Sequence, residues 1–135
     1  SVTNGELSVV HGRACVDGSV AFAKEASLVI SAAEGVEENL AAYGLLNLKA
    51  DGVTATEGLT IRLDVLMART TGVRPEVPLL TVSKACAEKL SGKIALTRIG
   101  RCVLVALAQR DITVDGVEAT QFYATCNSPL LMMIR

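Results

Sequence analysis

At 135 residues the chain suits one globular domain, 1–135, long enough to bury roughly two-thirds of its unfolded surface without a metal or disulfide staple. Half of the residues are hydrophobic, 3% are aromatic and none is Trp, which predicts an aliphatic core and excludes a disordered chain. A net charge of −1 argues against a broad basic face for nucleic acid, and no apolar run is long enough to span a membrane as a helix.

Charged residues make up only 20% of the chain. So much apolar content in a small domain predicts apolar surface, and apolar surface predicts an interface. A homo-oligomer is the expected state. The charge is divided: residues 1–67 carry four basic and nine acidic groups, −5, and residues 68–135 carry nine and five, +4. Either the halves neutralise each other within one copy, or an acidic surface of one copy meets a basic surface of the next. Cys15, Cys86, Cys102 and Cys126 are scattered, with no close pair for zinc or redox chemistry. They read as reduced thiols, hence a cytoplasmic or other reducing compartment. No secretory leader is recognisable after Ser1.

In chain order, residues 6–16 read as one or two short strands. Asp17-Gly18 then predicts a tight hairpin turn pairing Val16 with Ser19 and Cys15 with Val20. Residues 20–33 are apolar nearly all round and fit either helix or strand. Residues 34–48 read as a helix, with Val36, Leu40, Tyr43 and Asn47 on one face and Glu37 and Glu38 in the first turn. Asp51-Gly52 is a second turn. Residues 59–65 alternate cleanly, Leu59, Ile61, Leu63 and Val65 against Thr60, Arg62 and Asp64, and predict a strand with one covered face. Residues 68–78 form a loop. Residues 79–90 read as a helix opened by Pro78 and stopped by Gly92, with Leu79, Val82, Cys86 and Leu90 as its apolar stripe.

A strand from Lys93 follows, with Ile94 and Leu96 on one face, and Gly100 bends the chain into Arg101–Ala108, RCVLVALA. Its unbroken apolar run predicts the central strand of the core, covered on both faces. Asp115-Gly116 predicts a hairpin that puts Ile112, Val114, Val117 and Ala119 on one face. The apolar end, LLMMIR, must dock against its own sheet or a neighbour. The echo of DGVTAT (51–56) in DGVEAT (115–120) is better read as two hairpins sharing turn chemistry than as a duplication.

No catalytic signature, metal-ligand spacing or phosphate loop is present. His11 is the only histidine. Cys15, four residues on, would stand about 13 Å away on a strand, too far for proton transfer. The best ligand candidate is the loop of Arg69, Thr70, Thr71, Gly72 and Arg74. Its two guanidinium groups could grip a small carboxylate or phosphate with Lys84 in support, although exposed loop arginines are commonly just solvated. Arg98 and Arg101 flank Gly100 in a similar way but suit surface ion pairs. Asp64 is a lone carboxylate, and Glu37-Glu38 point apart on a helix. Phe122-Tyr123 lacks the neighbouring Arg and Lys of a stacking platform.

These features predict a single α+β domain, a mostly antiparallel sheet with about two helices packed on it, with an all-β barrel as the alternative. The predicted role is a self-associating scaffold subunit of a shell, ring or particle. The alternatives are an anion-binding or regulatory domain, or an oligomeric enzyme with its site between subunits. No catalytic residue, metal or cofactor is assigned.

Overall fold

The computed structural model describes residues 6–10, 13–32, 44–65, 76–99 and 103–127. Eleven strands and one helix occupy the described residues. They are β1 (Glu6–Val10), β2 (Arg13–Cys15), β3 (Val20–Ala21), β4 (Ser27–Ala32), β5 (Gly44–Asn47), β6 (Val53–Thr54), β7 (Leu59–Val65), β8 (Glu76–Ser83), α1 (Lys84–Leu90), β9 (Ile94–Ile99), β10 (Val103–Val114) and β11 (Val117–Asn127).

The chain winds. β1, β2 and β3 lie in three different sheets, and β4, β5 and β6 return to the same three in the same order, each parallel to its predecessor. β7 and β8 continue the first two sheets in a third coil, and α1 stands where a third strand of the remaining sheet would lie. β9 adds to the first sheet, giving the order β1-β4-β7-β9. The β10–β11 hairpin then closes the second, β10-β11-β8-β5-β2, with β11 antiparallel to β8. This is a short parallel β-solenoid capped by a hairpin.

The predicted α+β packing of two helices on an antiparallel sheet is therefore wrong, and the described strands form no closed barrel. Each misreading has a local cause. Residues 44–47, read as the end of a helix over 34–48, are β5, and Leu48 follows the strand; residues 34–43 of that reading lie outside the described residues. Residues 79–83, read as helix, belong to β8. There Val77, Leu79, Leu80 and Val82 are all buried, and a continuously buried run has no period to separate strand from helix. Pro78 opens no helix. It sits beside the register shift where β8 meets β11, the place in a ladder that tolerates a missing N–H. Asp17-Gly18 makes no hairpin: β2 and β3 pair forward with β5 and β6.

Parallel register stacks like on like. Leu7, Leu28, Ile61 and Leu96 form one ladder through the first sheet, and Val9, Ile30 and Leu63 the next. Ala14, Leu45, Leu80 and Phe122 form the ladder of the second. These ladders meet in one aliphatic core. Val29 is buried on the other face of β4 from Leu28 and Ile30, which explains why residues 20–33 look apolar all round. Ser83 caps α1 by accepting from the Cys86 N–H at 3.2 Å, and its hydroxyl donates to the Lys49 carbonyl at 3.0 Å. Helix α1 ends at the predicted stop, Ser91-Gly92.

Candidate functional site

The two ends of the solenoid differ. At one end β1, β2 and β3, which make up coil 1, are all edge strands of their sheets, and no described strand pairs with their outer edges. Backbone N–H and C=O groups along such an edge are a template for another strand. The interior opens here as well. Leu7, Ala14, Val16 and Val20 are only half-buried, while Leu28, Leu45 and Val53, the ladder partners of Leu7, Ala14 and Val20, are 1% exposed or less. Val9 and Phe22 of the same coil are buried, and Cys15 is exposed on the opposite face of β2.

The other end is stepped. The first sheet stops at β9, the second runs two strands past β8, and α1 replaces a strand in the third. The apolar run RCVLVALA lies in and before β10, which is the edge of its sheet and not its centre. Ala106 is exposed and Leu107 and Ala108 are half-buried. On the outer face of this sheet Arg110 donates to Gln121 Oε1 from Nε at 3.0 Å and Nη2 at 2.7 Å. Its guanidinium lies 4.4 Å from the Tyr123 ring centre. Gln121, itself buried, donates on to Thr81 Oγ1 at 3.4 Å. Among the described residues Val117, 46% exposed, is the one large hydrophobic side chain left open to solvent.

Between the ends, the corners are tied by Asn47. Its side-chain amide donates to the carbonyls of Gly18 at 2.9 Å and Gly52 at 3.0 Å, and its Oδ1 accepts from the Lys49 N–H at 3.1 Å. A buried amide so satisfied locks the Asp-Gly corner of one coil to that of the next. Cys86 is fully buried, and its thiol donates to the Val53 carbonyl at 3.2 Å, covering the edge of β6. Burial pushes this thiol above its ordinary range. Beside it is an open groove of about 260 Å³ whose polar lining includes Thr54, Thr56, Lys89 and Lys93. Lys89 is paired with Asp51, which raises its pKa.

The predicted anion loop, Arg69, Thr70, Thr71, Gly72 and Arg74, lies outside the described residues, as do His11, Arg101, Cys102 and the LLMMIR end. Lys84, its suggested helper, is exposed and faces Glu118 at 3.6 Å. The Phe122-Tyr123 pair is split, Phe122 in the core and Tyr123 under Arg110 on the outer face, so the two rings cannot form one platform. Among the described residues no three His, Cys, Asp or Glu side chains gather as metal ligands, and no helix is long and apolar enough to cross a membrane. Sequence reasoning overlooked coil 1 as a site. Its signal was the repetition of Asp17-Gly18 and Asp51-Gly52, each just before a Val that opens a short strand, Val20 and Val53. No family model matches the chain, and no curated protein or solved structure matches it.

Proposed function

We propose that this protein is a self-associating structural subunit whose copies join through the end of the solenoid. The observation that carries the reading is coil 1, whose three outer strand edges pair with no described strand and whose apolar Leu7, Ala14, Val16 and Val20 are only half-buried. Apolar content alone is no longer the reason. The described residues bury nearly all of their large apolar side chains within one copy. What a solenoid cannot bury by itself is its last coil, because each coil covers only its neighbours. Neither an enzyme nor an anion-binding module has an assembled set of groups among the described residues to rest on.

Sedimentation over a hundredfold range of concentration tests this. Self-association gives a species at a multiple of 14.1 kDa that dissociates on dilution. A 14.1 kDa monomer throughout that range would reject the proposal.

A further inference from the structure

The geometry points to Asp17 as a site of isoaspartate formation, a covalent modification that the fold directs to one of the chain's three Asp-Gly pairs. The inference goes beyond self-association and does not depend on it. In an Asp-Gly pair the backbone nitrogen of Gly attacks Cγ of the protonated Asp carboxyl. The N–H proton and the carboxyl hydroxyl leave together as water, and a cyclic imide remains. Water then adds to either imide carbonyl. Opening at the α-carbonyl leaves Gly bonded to Cγ, so the main chain runs through the former side chain and the α-carboxylate hangs free. Only water leaves and returns. Gly favours the attack because no Cβ hinders the approach. In sequence the three pairs are equivalent, and the fold separates them.

Asp51-Gly52 is held at both reacting groups. The Asp51 carboxylate is paired with Lys89, and the Gly52 N–H donates to the Lys49 carbonyl at 3.1 Å. Gly52 is buried, and its carbonyl accepts from the Val20 N–H at 2.6 Å and from Asn47 Nδ2 at 3.0 Å. Asp115-Gly116 is exposed but clamped. Val114 pairs with Val117 across it, and its φ values of 50° and 81° belong to the tight turn. Bringing the Gly116 nitrogen to Asp115 Cγ rotates the backbone of Asp115 and opens that turn. Asp17-Gly18 has neither restraint. Asp17 is exposed, and its carboxylate reaches Lys49 at 3.9 Å, a long surface pair that holds it weakly. The Gly18 N–H donates to nothing among the described residues. Nothing lies within 4 Å of the Cβ position at Gly18, so the space around the reacting bond is open. The residues on either side are tied: the Val16 N–H donates to the Leu46 carbonyl at 2.9 Å, and the Gly18 carbonyl accepts from Asn47 Nδ2 at 2.9 Å. Isoaspartate adds one methylene to the main chain between those two fixed points, which loosens the corner of coil 1.

The test is incubation of the native protein in warm, near-neutral buffer, at the lowest concentration of the sedimentation series. A urea-unfolded sample runs beside it until it has converted at all three pairs. Peptide mapping with electron-transfer fragmentation tells aspartate from isoaspartate at each site. It also separates the deamidation product of Asn4-Gly5, which lies outside the described residues. In the native protein Asp17 is expected to convert about tenfold faster than Asp51 or Asp115, a barrier difference of about 1.4 kcal/mol, and in urea the three rates should converge. Gly18→Ala has room for its methyl, so it should keep the parent's circular dichroism while slowing conversion at Asp17 about tenfold. The isomerised protein, once purified, should unfold at a lower urea midpoint. Equal native rates at the three pairs, or faster native conversion at Asp51 or Asp115, overturn the assignment. So does a native Asp17 that stays intact while the unfolded sample converts, or an undiminished rate in Gly18→Ala. A monomer in sedimentation leaves it standing.

Discussion

Asn47 shows how much one side chain can hold. Asn47→Ala would leave the Gly18 and Gly52 carbonyls without their donor, a loss of about 2–3 kcal/mol that urea denaturation would read as a lower midpoint. Gly52→Ala should also destabilise, because a Cβ there would stand 1.9 Å from Asn47 Oδ1, and the amide would have to move. Gly18→Ala is the control: nothing lies within 4 Å of its added Cβ, so its midpoint should stay within about 0.5 kcal/mol of the parent. Cys86 predicts a pH dependence. Its folded pKa is raised, so its contribution is intact below the unfolded thiol pKa of 9.0 and is lost as pH climbs through the folded value. Stability should thus fall above pH 9.0 and fall less in Cys86→Ala. The burial of Cys86 was legible in its apolar stripe, and the ties made by Asn47 were not. Asn47 passes for one member of a helical stripe until Gly18, 29 residues away, is seen beneath it.

Elements made by neighbouring residues were legible, and those made by distant ones were not. The last hairpin forms as predicted: Val114 pairs with Val117 and Ile112 with Ala119. Asp115 at φ 50° and Gly116 at φ 81° make the left-handed turn that Asp-Gly favours. Gly116→Val should cost roughly 1–2 kcal/mol of stability, since a β-branched residue resists that φ. β7 also has its predicted bounds, because alternation with one covered face is a local signal. The Asp17-Gly18 corner carried the same dipeptide as the true hairpin but serves a coil whose pairing partner lies 33 residues on, at Val20 and Val53. Turn chemistry reports a change of direction and not which strand is met afterwards. Ser83→Ala should cost about 1 kcal/mol by uncapping α1, read from the same denaturation curves.

For the whole molecule, the parallel sheets distribute stability along the stack. Coils 2 and 3 have neighbours on both sides and coil 1 on one, so amide exchange should be fastest in β1 and slow markedly in β4 and β7. Self-association at coil 1 should slow the β1 amides selectively. The helix has one more consequence. By filling the third wall it stops that sheet at β6, while the corners at Asp17-Gly18 and Asp51-Gly52 remain interchangeable. Duplicating residues 27–58 would therefore lengthen the rod by about 4.8 Å, one strand spacing, without altering either extremity. The architecture is free to grow from its middle.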